Sequence, residues 1–265
     1  MGAWRSATRT FVSPLGEIAG FGARVVGLVY SGRTLEFIGE ALRQTGILIL
    51  GSTMVIWGLA FIAGLTCGIE GAYLNRALGS PAYAGVFAAW CDLREIAPYA
   101  FAYMLAAKVG TGIVAELGAM RISDEIDALE VMGIQPMTYL ASTRLLAAWI
   151  ALPLVYLGAV GVMYFASWLA VVEQIGDVSS GGYFLVFWMF QNPPDLLFSV
   201  TKGMVMATVI VLVGCYYGYT ASGGPVGVGT ATAKSMALNI VLIHAIGMLT
   251  TLTFWGANPR APIGG

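Results

Sequence analysis

Five ionisable residues lie within or beside long apolar stretches of this sequence. They are Arg94, Glu95, Lys108, Asp195 and Lys202. An ionised side chain at bilayer depth costs roughly 2.5 to 3.5 kcal/mol on insertion scales, so each of these residues needs an opposite charge or water. Arg94 and Glu95 could equally lie in a loop, because residues 96–115 alone would almost reach across a membrane.

The residues on which hydrolases and metalloenzymes depend are sparse. The chain has one histidine, no Gly-x-Ser-x-Gly sequence, and three cysteines that lie far apart in apolar runs, Cys67, Cys91 and Cys215. This pattern argues against a zinc site, a disulfide framework and a nucleophile elbow. We interpret the cysteines as small core residues and His244 as a hydrogen-bonded core histidine.

A nucleotide-binding loop is also missing. None of the three lysines follows a glycine, so the chain has no Walker A sequence and is not expected to hydrolyse ATP itself. The segment GGPVGVG, residues 223–229, resembles such a loop only superficially because no βαβ unit surrounds it. We interpret it as a flexible cytoplasmic turn.

The composition is that of an integral membrane protein. Hydrophobic residues make up 58% of the chain and charged residues only 10%, against roughly 25% charged in a soluble domain. The formal charge of -1 and the dispersed basic residues argue against nucleic-acid binding.

Five apolar segments are long enough to cross a hydrocarbon core of roughly 30 Å as helices. The predicted spans are residues 46–68, 83–118, 145–172, 196–220 and 235–256. We therefore predict an all-α membrane protein with a five-span domain at 46–258 and a C-terminal tail at 259–265. Small residues recur every four positions in the second span and favour close helix packing, within the chain or at a subunit interface. They are Ala107, Thr111, Ala115 and Ala119.

The N-terminal region, residues 1–45, contains two amphipathic segments. Residues 17–30 place four apolar side chains on one helical face, and residues 34–45 repeat the pattern. The four are Ile18, Phe21, Val25 and Leu28. Because such a short region can hardly build its own core, we interpret both segments as helices in the membrane interface. The aromatic segment at 183–190 is too short to span and is predicted to be interfacial as well.

The distribution of basic residues predicts the orientation of the chain. With a cytoplasmic N-terminus, the inside receives Arg5, Arg9, Arg24, Arg33, Arg43, Arg121, Arg144 and Lys234. The outside then receives only Arg76, Arg94 and Arg260. The positive-inside rule therefore predicts that the N-terminus faces the cytoplasm.

A short acidic segment separates the second and third predicted spans. Ser123 suits a helix N-cap and Glu125 suits the positive end of a first turn, while Gly133 suits the helix end. The predicted helix at 123–133 has an acidic and an apolar face. The acidic face carries Asp124, Asp127 and Glu130, and the apolar face carries Ile126, Leu129 and Met132. Because anionic lipids would repel the acidic face, we predict that the helix docks on a cytoplasmic protein rather than on headgroups.

The run that contains this segment resembles the signature of a known family. The run EIAPYAFAYMLAAKVGTGIVAELGAMRISDEIDALEVMGIQPMTYLASTRLLA is similar to sequences of the MlaE/YrbE permease family, the membrane subunits of lipid-transporting ABC systems that work with MCE-domain proteins. The similarity continues in IEGAY at 69–73, DLLFSVTKG at 195–203 and GYTASGGPVGVGTATAK at 218–234. The chain looks like an actinobacterial YrbE-type member, a branch in which paired paralogues are the rule.

This resemblance implies a role for each group of charged residues. In the family, the helix between the second and third spans is a coupling helix that fits a groove on the ATPase subunit. The residues carried over to that role are Glu116, Arg121, Asp124, Glu125, Ile126, Asp127, Leu129, Glu130 and Met132. The family sequence R-E-x-x-P, here REIAP at 94–98, borders the lipid cavity. The resemblance thus implies that Arg94, Glu95, Asp195 and Lys202 form a polar rim that meets a lipid headgroup.

Two departures from the family pattern concern polar residues of the spans. Lys108 stands where many relatives carry arginine, and the two are not equivalent if the site makes bidentate contacts. Gly247 stands where some relatives place an acid, one turn after His244.

Two functions from different classes fit these residues. The first is the permease subunit of an ABC-type lipid transporter, which moves lipid or fatty acid between the inner (plasma) membrane and an MCE-protein tunnel. It implies a separate cytoplasmic ATPase dimer that binds the ATP, no cofactor in this chain, and a second permease subunit, identical or paralogous, because five spans are too few to enclose a lipid path. The second function is an integral-membrane lipid-modifying enzyme, which the lack of a clustered catalytic set disfavours.

Overall fold

The computed structural model describes residues 2–257, and the side chains of residues 15–257. The described residues are 91% helical and contain no strand, which confirms the all-α prediction. The helices are α1 (Gly2–Tyr30), α2 (Arg33–Ala77), α3 (Pro81–Ile122), α4 (Glu125–Val131), α5 (Met137–Ile175), α6 (Ser180–Phe190), α7 (Pro193–Tyr219) and α8 (Gly224–Trp255). The predicted tail at 259–265, with Arg260, and the side chains of Arg5 and Arg9 lie outside the described residues.

Five helices, α2, α3, α5, α7 and α8, are long and apolar enough to cross a membrane, as predicted. Most of them extend beyond the predicted spans. Helix α2 has 45 residues, or about 68 Å at 1.5 Å per residue, against a hydrocarbon core of roughly 30 Å. The prediction counted uncharged residues, whereas backbone hydrogen bonding continues through the charged residues at the helix ends.

Helices α3 and α5 contain wider turns of π-helix. These segments are Ala88–Ile96 and Leu105–Gly110 in α3, and Met137–Ser142 and Leu169–Ile175 in α5. In the first segment the N–H of Ala97 donates to the carbonyl of Asp92, five residues earlier. π-turns inside α-helices are frequent at functional sites, and this one contains Arg94 and Glu95.

The chain divides into two compact units, and each of the five long helices contributes residues to both. The first unit comprises the described residues up to Leu48 together with Ala106–Ala151 and Thr208–Asn239. The second comprises Ile49–Leu105, Leu152–Ala207 and the described residues from Ile240 onward.

In the first unit, the apolar face of α1 packs against α7. Phe21 and Val25 are buried, and the Phe21 ring meets the Tyr216 ring edge-on with 5.8 Å between centroids. The Tyr216 hydroxyl donates to a Glu17 carboxylate oxygen over 2.8 Å. The face predicted at 17–30 therefore packs on protein, and the position of α1 in the membrane interface stays a prediction.

Residues 34–45 form the start of α2 rather than a helix of their own. A 3₁₀ turn at Arg33–Phe37 runs directly into the α-helix Ile38–Ala77, without a break at the predicted boundary. The apolar face is nevertheless present, because Leu35 and Leu42 are exposed.

The prediction of a flexible turn at GGPVGVG is wrong, since helix α8 begins at Gly224 within it. Within residues 223–229, Gly223 and Gly224 have positive φ, at 85° and 69°, and they form the bend at the start of the helix. Pro225 follows in the first helical turn, where its missing N–H removes no hydrogen bond.

In the second unit, α2 and α5 approach closely through glycines. A Cβ atom on Gly64 would overlap the carbonyl oxygen of Met163, and one on Gly68 would lie 2.9 Å from the carbonyl oxygen of Ser167. The Ser167 hydroxyl lies 2.9 Å from the Gly64 carbonyl oxygen and 2.5 Å from an Asp92 carboxyl oxygen. Such close packing replaces the hydrophobic driving force between helices in lipid.

The predicted small-residue stripe of α3 does not pack within the chain. Ala107, Ala115 and Ala119 are exposed. Close helix approach in the same unit uses a different face, where a Cβ atom on Gly214 would lie 3.0 Å from the Gly110 carbonyl oxygen. The alternative use of the stripe, at a subunit interface, stays a prediction.

Helix α6 contains the aromatic segment predicted to be interfacial. The Ser179 hydroxyl caps it by accepting from the Gly182 N–H over 3.2 Å. Tyr183 is buried, and burial raises the pKa of its phenol. On the opposite face Leu185 and Trp188 are exposed, so the helix is apolar on both sides.

Candidate functional site

Four of the five ionisable residues singled out by the sequence meet in the second unit. Arg94 and Glu95 lie in the π-helical segment of α3, and Asp195 and Lys202 lie on α7. Asp195 occupies the first turn of α7, just after the two prolines that start it, where the positive end of the helix macrodipole stabilises a carboxylate.

The first ion pair joins Arg94 to Asp195. One carboxylate oxygen of Asp195 accepts from Arg94 Nη2 over 2.7 Å and from Nε over 3.2 Å. The other accepts from the indole N–H of Trp255 over 2.8 Å. Both oxygens of this buried carboxylate are therefore satisfied, as a buried charge requires.

The second ion pair joins Lys202 to Glu95. The Lys202 ammonium donates to a Glu95 oxygen over 2.7 Å, to the Arg94 carbonyl over 3.0 Å and to the Thr251 hydroxyl over 2.7 Å. The Thr251 hydroxyl also lies 2.7 Å from the other Glu95 oxygen. The ammonium has three donors, and all three are used.

Aromatic rings surround both cations. The Arg94 guanidinium carbon lies 4.4 Å from the centroid of Trp90 and 5.5 Å from that of Trp255. Lys202 Nζ lies 5.0 Å from the centroid of Tyr99. Cation–π contacts of this kind stabilise a cation that has lost its water.

The four charged residues were expected to form an exposed polar rim, but most of them are buried. Arg94, Asp195 and Lys202 are buried, and their charges cancel within the two pairs. Only the Glu95 side chain, 35% exposed, reaches the surface. We call this group, together with its three aromatic rings and Thr251, the polar cluster. Glu95 is the charged member of the cluster that a ligand can reach.

The fifth residue, Lys108, belongs to the first unit, and its side chain is exposed. It takes no part in the ion pairs formed among the described residues. An exposed lysine needs no partner, so the structure gives no reason to group Lys108 with the other four.

Sequence reasoning missed the neutral members of the polar cluster. These are Trp90, Tyr99, Thr251 and Trp255. An available signal was the spacing on α3, where Trp90 lies four residues before Arg94 and Tyr99 lies four residues after Glu95. No local signal marks Thr251 and Trp255, because they reach the cluster from α8.

His244 is hydrogen-bonded, as predicted, but it is exposed rather than part of a core. Its Nε2 lies 2.8 Å from the Tyr103 hydroxyl, and its Nδ1 lies 2.8 Å from the Ile240 carbonyl oxygen. In the neutral ring Nδ1–H donates to the carbonyl, so Nε2 accepts from the phenol.

A second candidate site is the acidic helix α4 in the first unit. Asp124 precedes it with a positive φ of 59°. Ser123 is not the N-cap that the sequence suggested, because it ends α3 and its hydroxyl donates to Ala119 O and Glu125 instead. At the other end Gly133 has φ 79°, a left-handed conformation that glycine adopts without strain.

The exposed surface of α4 differs from the predicted apolar stripe. Ile126 is fully buried in its own unit and is not available to a partner, and Leu129 is half-buried. Met132 is exposed, as is Val131 beside it, which the sequence analysis did not select. We call the exposed charged and large apolar side chains of residues 124–132 the docking surface. They are Asp124, Glu125, Asp127, Glu130, Val131 and Met132.

Two predicted coupling residues lie at the base of this surface. Arg121 pairs with Asp127 over 2.5 Å and so holds α4 to the end of α3. Glu116 pairs over 2.8 Å with Arg144, a buried arginine of α5 that the sequence analysis did not single out as a site residue. The first pair therefore connects α4 to α3, and the second connects α3 to α5.

Comparison with known proteins identifies the family. The sequence profile described as Permease MlaE matches residues 41–253. The chain belongs to the MlaE permease family. The match includes all of α3, α5 and α7 and most of α2 and α8.

Individual relatives agree with this assignment. The chain is 33% identical over 164 residues to a probable ABC transporter permease protein of Rickettsia conorii, with 61% of this chain and 62% of the relative covered. It is 30% identical over 221 residues to the protein trigalactosyldiacylglycerol 1, chloroplastic, of Arabidopsis thaliana, with 82% and 59% covered. For a probable ABC transporter permease protein of Synechocystis the values are 29% over 174 residues, with 63% and 64% covered.

The matched region thus spans about 60% of the length of these relatives. None of the comparisons supports the alternative of a lipid-modifying enzyme. Five apolar helices together with this family membership make the chain a multi-pass membrane protein.

Proposed function

We propose that this chain is the membrane subunit of an ABC-type lipid transporter and that a separate ATPase drives it through α4. The observation that carries the proposal is the exposed docking surface on a chain whose family and relatives are permeases. Four carboxylates and two apolar side chains project from a helix that Ile126 and the Arg121–Asp127 pair fix to the chain. A rigidly held helix of this kind can transmit a displacement from its partner to α3.

The polar cluster supports a lipid as the transported molecule. It presents one partly exposed carboxylate, Glu95, beside Tyr99 and Tyr103 in an otherwise apolar helix surface. Glu95 can accept hydrogen bonds from a headgroup while Lys202 holds it in place. The plant relative also carries the name of a lipid.

A second permease subunit completes the lipid path in this proposal. The exposed stripe of Ala107, Ala115 and Ala119 on α3 allows another helix to approach closely. In an apolar stretch of 18 residues in each of α2 and α8, only 17% of the residues are buried within the chain. The remaining surface is free for a partner or for lipid. A paralogue is the expected partner, as in the paired YrbE-type proteins that the sequence resembles, and MCE-domain proteins on the outer side would exchange lipid with the pair.

The proposal places the N-terminus and α4 in the cytoplasm and the protein in the plasma membrane. The excess of basic residues predicted on the inner side supports this orientation.

Co-purification tests the docking of the ATPase. The tagged full-length chain, extracted from native membranes, is expected to retain an ATPase that hydrolyses ATP and is identified by mass spectrometry. Val131→Asp or Met132→Asp should release it, because a new charge in the apolar part of the docking surface is buried without a partner. Leu185→Asp is the matched control, since it places the same charge on an exposed apolar residue of α6. Retention of the ATPase by all variants would contradict the proposal.

Reconstitution tests the transported molecule. The assembled complex in vesicles should transfer labelled phospholipid only when ATP is supplied. Glu95→Gln should reduce the transfer about tenfold or more, because a hydrogen bond to a charged group contributes roughly 1.5 to 3 kcal/mol, while the ATPase stays bound. An unchanged transfer rate would remove Glu95 from the lipid path.

A further inference from the structure

A cavity of about 710 Å³ opens on the first unit, between the end of α1 and the segment that follows α4. Its lining includes Arg24, Gly27 and Leu28 of α1, Arg33 at the start of α2, and Pro136 and Met137 beside α5. A second cavity of about 360 Å³ shares Arg33, Gly133, Ile134 and Gln135 with the first, so the two adjoin. Neither the polar cluster nor the docking surface accounts for these cavities.

The charge of the larger cavity is unbalanced. Arg24 and Arg33 line it, against the single carboxylate of Glu130. Both arginines are exposed, and no ion pair among the described residues involves either of them. The neighbouring Arg43 differs, because its guanidinium is bound to Glu40 over 2.7 Å.

The backbone at this wall has little net charge, because the C-terminal end of α1 and the N-terminal end of α2 meet there. Helix α2, 45 residues long, begins at Arg33, so the positive end of its macrodipole lies beside that guanidinium. The carbonyls that end α1 are already occupied, since Gly27 O accepts from the Ser31 N–H and Leu28 O accepts from the Ser31 hydroxyl. An anion at this place would meet donors rather than unpaired carbonyl oxygens.

The remainder of the lining is largely apolar. Leu28, Met137 and Tyr219 supply side-chain carbon, and Gly27 leaves the space beside α1 open. A cationic edge beside an apolar wall matches an amphiphile better than it matches a small soluble anion. Exposed Tyr30 and Leu35 continue the apolar surface on both sides of the turn between α1 and α2.

We propose that this cavity binds an anionic phospholipid of the cytoplasmic leaflet. The phosphate lies between Arg24 and Arg33, and an acyl chain follows the wall formed by Leu28 and Met137. This lipid fixes the turn between α1 and α2 at the level of the headgroups and is not the transported molecule. The inference requires only that the chain spans a membrane in the predicted orientation, so it stands or falls separately from ATP-driven transport.

Retention of lipid by the purified full-length chain tests this site. The chain is reconstituted in nanodiscs of phosphatidylglycerol or phosphatidylcholine, extracted gently, and the lipids that stay bound are counted by native mass spectrometry. The unsubstituted chain should retain phosphatidylglycerol in preference to phosphatidylcholine. Arg24→Gln with Arg33→Gln should lower that retention by about fivefold for each arginine removed. Arg43→Gln removes the same charge from a paired arginine and should leave retention unchanged.

A variant that keeps every charge provides a second test. A Cβ atom on Gly27 would have no heavy atom within 4 Å, so this position accepts a side chain, and Gly27→Leu should take up part of the cavity. It should lower phosphatidylglycerol retention, whereas Gly16→Leu, at an equally open position of α1 outside the cavity, should not. Equal retention by all variants would overturn the proposal. Displacement of the bound lipid by soluble glycerol phosphate would also overturn it, because it would identify the site as one for a free phosphate.

Discussion

Arg94 and Asp195, 101 positions apart in the sequence, form a buried ion pair with 2.7 Å between Nη2 and Oδ2. Removing the cation alone leaves a carboxylate that is almost fully buried without its paired charge, although the Trp255 indole and the start of α7 still stabilise it. Buried pairs are costly to break singly and nearly neutral to replace together. The stability of the second unit therefore depends on keeping both members or removing both.

Arg94→Met is expected to lower the free energy of unfolding by about 3 to 5 kcal/mol. Adding Asp195→Asn should recover most of this loss, because the asparagine is neutral and its oxygen can still accept from Trp255. Chemical unfolding in detergent micelles, run as a double-mutant cycle, gives the coupling energy. If the double variant were no more stable than Arg94→Met, the ion pair would not be the source of the effect.

Two lysines in the five spans are expected to respond differently to the same substitution. Lys202 is fully buried and bound to Glu95 and Thr251, whereas Lys108 is exposed. Lys202→Met should destabilise the protein by about 1 to 3 kcal/mol, since it leaves the Arg94 carbonyl and the Thr251 hydroxyl without their donor while Glu95 stays partly solvated. Lys108→Met should stay within about 0.5 kcal/mol of the unsubstituted protein. A comparison of thermal midpoints under one set of conditions separates the two, and similar losses would contradict the assigned environments.

Two glycines of α2 provide a matched pair for helix packing. A Cβ atom on Gly64 would overlap the Met163 carbonyl oxygen, whereas one on Gly58 would meet no heavy atom within 4 Å. Gly64→Ala should destabilise the contact between α2 and α5 by about 1 to 3 kcal/mol. Gly58→Ala should be neutral or slightly stabilising, because alanine restricts the unfolded chain. The free energies of unfolding in micelles test this difference, and its absence would show that α2 and α5 can separate at no cost.

Cysteine labelling in intact cells tests the predicted orientation. With Cys67, Cys91 and Cys215 replaced by alanine, Asp127→Cys should react with a membrane-impermeant maleimide only after the cells are opened. Leu185→Cys, on exposed α6, should react in intact cells. The opposite pattern would put the docking surface outside and rule out an intracellular ATPase as its partner.

The number of spans was predictable because it depends on local composition. An uncharged run of about 20 residues has few alternatives to a transmembrane helix. The ends of the helices were not predictable in this way, because helix α2 continues from Arg33 through the charged segment that precedes its apolar part. Nor was the start of α8, since a glycine-rich sequence does not reveal that neighbouring helices hold it in helical form.

The contacts of the site residues were predictable only in part. The sequence identified Arg94, Glu95, Asp195 and Lys202 because they are ionisable residues within apolar segments. In the structure these four residues form two ion pairs. Their pairing and their burial depend on how α3, α7 and α8 pack, which no local pattern reports.

The docking surface shows the same limit. Ile126 and Leu129 do lie on one side of α4, but Met132 follows its last residue. The spacing does not tell which part of that face its own chain covers. Ile126 proved to be covered, while Val131, off the stripe, is exposed.

The Arg94–Asp195 ion pair depends on the number of residues in the π-helical segment Ala88–Ile96 as well as on their types. An i→i+5 turn holds one residue more than an α-turn, so losing one residue here would let the segment rewind as α-helix with both flanks in place. The flanking residues would then keep their directions, but side chains within the segment, Arg94 and Glu95 among them, could shift around the helix axis by up to about 100°. A relative with a one-residue gap at this point would have to aim its own arginine elsewhere, even if every remaining letter of the segment were the same.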